Sequence, residues 1–264
     1  MSRRSIKKKG VSKMKVSKLR NKIKVVSLTD WHVPYEDPVV IQLEIDWCEA
    51  EQPEIIITHE LHDFYELSKF DKDPARTHNL QDEIDQVNEY MAKLRKVCPK
   101  SRIILLNSNH LNRLKKYLWR VAPALNSLRS LKIETLLELK KYNIEYKDVF
   151  MFRGVLFKHG DLVRKFSSYT AKGEFEKESV SGSSGHTHRL GAYFHTVRGG
   201  AHVWLESGCG CKLNPEYVTG IPNWQNGFSL FCFEPKGNHF YPTVIPIIDH
   251  QIFWGNKTFD RRKR

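Results

Sequence analysis

Apolar residues gather in three short, β-branched runs at residues 22–29, 53–58 and 101–107, each with the length and composition of a buried strand. Between them, residues 39–51 and 79–97 carry apolar positions at helical spacing. In the second of these, Leu80, Ile84, Val87, Met91 and Leu94 fall on one face, Asn79 stands where an N-cap is needed, and Pro99 follows the end. Strand, helix, strand, helix, strand is the opening of an α/β fold with a parallel sheet.

The pattern then changes. Residues 112–142 or so read as a helical excursion of two or three helices, broken near Pro123 and Ser130. Short strands follow at 149–152, 155–159, 193–198, 201–207, 227–233 and 240–247, so the second half is expected to be a β-rich layer. Residues 178–186, dominated by Ser and Gly, read as a flexible loop. No internal repeat or long linker interrupts residues 25–255, which are expected to form one domain between a basic tail at 1–24 and a second at 256–264.

Composition changes this picture in two places. At 264 residues and 40% hydrophobic, the chain can bury a full core, and no apolar stretch approaches the roughly 18 residues that cross a bilayer. The first 24 residues lack the apolar centre of a secretory signal. The expected location is therefore the cytoplasm, that of the host if the protein is phage-encoded, without a membrane partner. The net charge of +13 sits in the tails: residues 1–24 hold eleven Lys or Arg and no acid, among them Lys7, Lys8, Lys9, Lys13 and Lys15. Without the two ends, residues 25–259 come to about −1. A polyanion such as nucleic acid is thus expected to be gripped by the ends.

Chemistry concentrates where the expected strands stop. Asp30 and His32 stand two apart, as do His186 and His188, so in extended backbone each pair can point to one side and share an ion. Carboxylate and imidazole suit Mn, Fe or Zn, and the lack of a thiolate among these residues argues against a structural zinc. Five scattered cysteines fit reduced thiols, with Cys209 and Cys211 read as packing residues.

The order Asp30-x-His32, then an acidic Glu60 after the second strand, Asn109-His110 after the third, a lone His159-Gly160, and Gly185-His186-x-His188 resembles the calcineurin-like metallophosphoesterases. The resemblance covers residues 25 to about 190, and the stretches Asp63-Phe64-Tyr65 and Leu67-Ser68-Lys69-Phe70 look like a bacteriophage and bacterial branch. It implies a four-layer α/β/β/α sandwich with a helical insertion. It further implies that Asp30, His32 and His188 hold one divalent metal and Asn109, His159 and His186 another, with Glu60 bridging. His110 would be the catalytic acid, and Arg113 a candidate phosphate contact. The metals would be Mn, with Fe, Zn, Ni and Mg as alternatives.

Two positions depart from the family pattern: His59-Glu60 replaces Gly-Asp, and Ser108-Asn109-His110-Leu111 replaces Gly-Asn-His followed by an acid. His59 and His62 are read as surface-loop residues, with assistance to the metals as the alternative. Asp63 is open between helix cap and support for a ligand. Trp204, Trp224 and Phe228 are read as core, and His78, His195, His202, His239 and His250 carry no role. The expected activity is two-metal hydrolysis of phosphodiester bonds, in DNA or RNA. The alternatives are a phosphatase or phosphodiesterase for a small nucleotide or phosphoester, and a non-catalytic nucleic-acid binder.

Overall fold

The computed structural model describes residues 22–69, 71–72, 77 and 79–262. The first half lays down β1 (Ile23–Thr29), α1 (Pro38–Glu51), β2 (Ile55–His59), α2 (Leu80–Val97), β3 (Arg102–Leu106), α3 (Leu111–Val121), the short α4 (Ile133–Leu136) and β4 (Ile144–Lys147). The second half adds β5 (Phe150–Phe152), β6 (Val155–Phe157), α5 (Tyr169–Glu178), β7 (Ser181–Ser184), β8 (Leu190–Val197), β9 (Gly200–Ser207), β10 (Gly227–Phe233), β11 (Phe240–Pro246), β12 (Gln251–Trp254) and β13 (Lys257–Asp260). The chain is a mixed α/β protein.

One sheet has the order β11-β10-β1-β2-β3-β4, with β1 to β4 parallel and β10 antiparallel to β1. Because strand side chains alternate, its two faces can be read residue by residue. Val26, Leu28, Ile56, Ile103 and Leu105 join Ile41 and Ile45 of α1 and Val87 and Leu94 of α2 in one buried cluster. Their neighbours Val25, Ile55, Ile57, Ile104 and Leu106 face the other way and pack on Phe157, Val203 and Leu205 of the second sheet, whose order is β5-β6-β7-β9-β8. Beyond that sheet, Ala171 and Phe175 of α5 cover Leu156 and Trp204. Each fully buried Ile, Leu or Phe here contributes roughly 1.5–3 kcal/mol, so both faces of the first sheet are held firmly at the strand ends that matter below.

The helix expected at 79–97 forms with a capping box: the Asn79 side chain accepts from Gln81 N (2.9 Å) and Asp82 N (3.1 Å), and Asp82 accepts in turn from Asn79 N. Three expectations need correction. After α3, residues 123–131 form 3-10 turns and only the four residues of α4 are α-helical, because Pro123 and a largely exposed segment give no continuous apolar face. Residues 181–184 are not a flexible loop but the wholly buried strand β7. Its Ser and Gly are required by close packing: a Cβ on Gly182 would lie 2.4 Å from the Trp204 ring, and Ser183 Oγ shares hydrogen bonds with Ser207 (2.9 Å) and Ser229 (2.8 Å). At the C-terminal end, β13 pairs with β12, and Arg261 and Arg262 pair with Asp46 and Asp260. The segment expected as a tail from 256 is therefore folded as far as its described residues go.

Candidate metal centre

Every proposed ligand follows the carboxyl end of a strand. Asp30 and His32 come after β1, Glu60 after β2, Asn109 and His110 after β3, His159 after β6, and His186 and His188 after β7. The parallel strands of the two sheets deliver them to one rim, where α/β folds carry their ligands. Asp30, His32, Glu60, His186 and His188 all have positive φ, between 51° and 70°. A left-handed non-glycine residue costs on the order of 1–3 kcal/mol, and such strain persists where the surroundings over-determine it. Five of the seven proposed ligands share it, so the backbone here is shaped around the side chains' task. Gly185 belongs to the same constraint, since a Cβ there would sit 2.1 Å from Asp30 Oδ2 and 2.3 Å from Thr29 Oγ1.

The first donor set closes tightly. His32 Nε2 and His188 Nε2 lie 2.9 Å apart, and Asp30 Oδ1 is 3.6 Å from the first and 3.4 Å from the second. Ligands about 2.0–2.2 Å from one ion stand about 3–3.5 Å from each other, so these three atoms have the spacing of a coordination sphere. The backbone N of His186 donates to both Asp30 oxygens, at 3.1 and 3.0 Å, which fixes the carboxylate. In the second set Asn109 Oδ1 is 2.6 Å and Glu60 Oε2 3.4 Å from His159 Nε2, while the His186 ring packs edge-on against that of His159. Glu60 lies between the sets, its donor atom also grouped with those of His32 and His110. These His, Asp and Glu side chains could bind metal ions.

The electrostatics point the same way. Burial pushes the Glu60 carboxyl up to about 7, with the Asp30 charge adding to the rise against the pull of His32. Burial also drives His159 and His186 down, so both rings are neutral and free to coordinate. On the other side, against the effect of burial, Asp30 is held well below the usual carboxylate range by His188 and His32, and His32 is raised by Asp30 and Asp63, so without a cation the acidic and imidazole groups there balance one another as ion pairs, a balance a bound cation would replace.

Supporting contacts orient the rings. Asp63 Oδ2 is 3.2 Å from His32 Nδ1, which leaves Nε2 to face the donor set. The same carboxylate takes Arg113 Nη1 at 2.8 Å, and Arg113 Nη2 lies 2.7 Å from His110 Nε2. His110 Nδ1 lies 3.3 Å from both Asp63 Oδ2 and Glu60 Oε1 without an aligned hydrogen bond to either. Burial holds the His110 ring down at about 4 despite Asp63. Asp63 is thus a support for ligands and not a helix cap; the turn that follows it is headed by Phe64.

His59 and His62 are not on a surface loop, since both are buried. His59 ends β2 and places Nδ1 2.7 Å from Thr29 Oγ1 and 3.1 Å from His159 Nδ1, behind the second donor set. His62 stacks on Phe64 and leaves both ring nitrogens without a partner among the described residues. Cys211, expected only to pack, places Sγ 3.6 Å from His188 Nδ1. Burial opposes charge on His188, but Cys211 and Asp30 outweigh it and hold the ring at about 9. Trp204 and Phe228 are core, whereas Trp224 is half-buried over His188, with ring centroids 4.3 Å apart.

The donor sets open into a cavity of about 370 Å³ walled by Tyr65, Tyr217 and Trp224, with His110 and Arg113 on its rim. Of the basic tail, Lys22 pairs with Glu234 and Lys24 with Glu51. Lys7, Lys8, Lys9, Lys13 and Lys15, together with Phe70 and His78, lie outside the described residues. Among the described residues no helix is long and apolar enough to cross a membrane.

No family model matches the chain. It is similar to the Gene 54 protein of Mycobacterium phage D29, 28% identical over 243 residues, covering 85% of this chain and 94% of that protein. The Gene 54 protein of Mycobacterium phage L5 is 26% identical with the same coverage. Among solved structures, Chaetomium thermophilum Vps29 superposes with a TM-score of 0.42 at 10% identity, over 86% of this chain and 87% of that one. TT1561 of Thermus thermophilus gives 0.36 at 8% identity, over 84% and 99%.

Proposed function

We propose that this chain is a metal-dependent phosphoesterase of the calcineurin-like type that cleaves phosphodiester bonds in nucleic acid with two divalent cations, Mn foremost. The observation that carries the reading is the pair of donor sets on either side of Glu60, with His110 and Arg113 at the open side. Asp30, His32 and His188 would hold one cation, Asn109, His159 and His186 the other, and Glu60 both. Two cations so held would supply charge to neutralise phosphoryl oxygens and to acidify a bound water. Arg113, anchored on Asp63, would steady the phosphate, and His110, neutral without substrate, would act as the acid toward the leaving oxygen once the phosphate's negative charge draws Arg113 away and lets the ring take up a proton from solvent. A four-layer α/β/β/α arrangement is part of the proposal, supported by the three successive apolar clusters. So is a nucleic-acid grip by the basic N-terminal residues, including Lys7, Lys8, Lys9, Lys13 and Lys15.

A small nucleotide or phosphoester is the second reading, favoured by the modest, aromatic-walled cavity. The experiment that tests both is a panel of bis(p-nitrophenyl) phosphate, p-nitrophenyl phosphate, mononucleotides and labelled single- and double-stranded DNA and RNA, each with Mn, Mg, Ni, Fe or Zn and with a chelator. Chelator-sensitive cleavage of oligonucleotides supports the main reading, and cleavage restricted to small esters supports the second. Protein that binds oligonucleotides with Mn loaded but turns over nothing would be a non-catalytic binder.

A further inference from the structure

Helix α3 starts directly after His110 and buries Leu111, Leu114 and Leu118 against the core. Its other side is basic and aromatic: Lys115, Lys116, Trp119 and Arg120 are exposed, Trp119 at 56%. Arg113, Lys116 and Arg120 recur at three and four residues, so they form one stripe along the helix. Together with Lys69 and Tyr117 they line a groove of about 270 Å³ that contains no carboxylate. Asn109 and Arg113 belong to this groove and to the cavity over the metal ligands alike, so the two are continuous. On the opposite side of Lys116 the charges are mixed and paired, Asp161 and Glu178 with Lys158 and Asp161 also with Lys177. Among the described residues, Lys69, Lys116 and Arg120 have no carboxylate partner.

We infer that this stripe of α3 is the track for a single-stranded nucleic acid, which runs out of the catalytic cavity past Asn109. From Arg113 to Arg120 the helix rises about 10 Å, a length of roughly three nucleotides at the 3.4 Å spacing of a stacked strand. Lys69, Lys116 and Arg120 take phosphates. Trp119, with Lys115 4.8 Å from its ring centre, offers a platform for a base, as basic grooves interleaved with aromatic rings do for single strands. A stretch of chain whose net charge is near neutral overall thus carries a directed cationic path, distinct from the basic N-terminal residues. The direction of the track toward a scissile phosphate rests on the phosphodiesterase reading; the binding does not.

The test uses full-length protein with Lys116→Glu/Arg120→Glu together, and separately Trp119→Ala, all on the exposed side of α3. Binding of labelled oligo(dT) and oligo(U) of about 12 nucleotides is measured with chelator between about 50 and 200 mM salt. The charge-reversed protein is expected to bind at least about tenfold more weakly, with a salt slope smaller by about 1.4 for two lost phosphate contacts. Trp119→Ala is expected to lose roughly 5- to 100-fold without a change of slope. In Mn, the ratio of oligonucleotide to bis(p-nitrophenyl) phosphate turnover should fall in step. Unchanged affinity and slope in both variants, or tighter binding of duplex than of single strand by the wild type, overturns the track. Wild-type protein that binds through α3 but cleaves neither substrate keeps the track and removes the phosphodiesterase reading.

Discussion

Asp63 Oδ2 lies 3.2 Å from His32 Nδ1, so the carboxylate sets the tautomer of the ring whose other nitrogen meets His188. The same oxygen is 3.3 Å from His110 Nδ1, and the neighbouring oxygen holds Arg113. One carboxylate therefore ties into a single unit the three side chains proposed as metal ligand, proton donor and phosphate contact. Asp63→Asn keeps the shape and removes the charge, and is expected to weaken metal binding about 10- to 100-fold, the usual effect of losing such a partner. Calorimetric titration with Mn of wild type and variant reads this directly; equal affinity would reduce Asp63 to a packing residue.

The ligand positions themselves give the second prediction. Asp30→Ala, His159→Ala and His188→Ala should each abolish hydrolysis while the protein still melts cooperatively, because the apolar clusters that carry the fold do not include them. Activity retained in any one of them would take that residue out of the site.

Much of this centre is legible in the sequence because several of the proposed ligands directly follow a strand whose apolar run is plain, as with Asp30 after β1 and Asn109 after β3. What is not legible depends on contacts between distant residues. His59 meets His159 100 positions away, and Cys211 meets His188 from a separate loop. No local pattern marks either, though His59 as the inward-facing end of a buried strand is the available signal. The strand β7 is hidden for the opposite reason: its Ser and Gly look like a loop, and only the Trp204 ring packed on it explains them. Trp224 differs from the core residue expected of it because a lone Trp gives no sign of whether its ring roofs a cavity.

His110 is the residue at which proposed catalysis and metal binding can be told apart. Arg113 is 2.7 Å from its Nε2 and two carboxylates face its Nδ1, although its ring also groups with the donor atoms of His32 and Glu60, so a variant tells the two roles apart. His110→Asn is expected to leave metal stoichiometry unchanged and to cut turnover by roughly 100- to 10,000-fold. A variant that purifies one ion short would instead place His110 among the ligands.

A pH effect on stability follows from Glu83 of α2, which accepts from Phe64 N at 2.6 Å and so anchors the loop that carries Glu60 and Asp63. Burial raises its pKa to about 8, so the folded protein keeps a proton that the unfolded chain releases near the ordinary value of about 4.3. The contribution of this group is fully present below the unfolded pKa, declines as pH rises and is lost once pH passes through about 8. Glu83→Gln keeps the acceptor and removes the titration. Its melting temperature should exceed that of wild type at pH 9 and match it at about pH 4, below the unfolded pKa; a difference independent of pH would contradict the assignment.

Glu60 is where the sequence departs most from the family it resembles, and where an enzyme and an inert relative part. A bridging carboxylate opposes the repulsion between two like ions, so its charge matters more than its reach. Glu60 lies 3.4 Å from His159 Nε2 through one oxygen and 3.3 Å from His110 through the other, placed between the donor sets. Its pKa of about 7 without bound cations means that loading should release a fraction of a proton from Glu60 at neutral pH, on top of the protons that His32 and His188 give up, which binding titrations in buffers of different ionisation enthalpy detect. Glu60→Gln, uncharged and of the same size, should lose at least one ion, Glu60's share of that proton release and nearly all activity, whereas Glu60→Asp should keep activity or raise it. In crystals grown with Mn, each ion should stand about 2.0–2.2 Å from a Glu60 oxygen. Should wild type hold a single ion at saturating Mn and cleave no ester, while Glu60→Asp gains the second ion and turnover together, the extra methylene would be what silences the site.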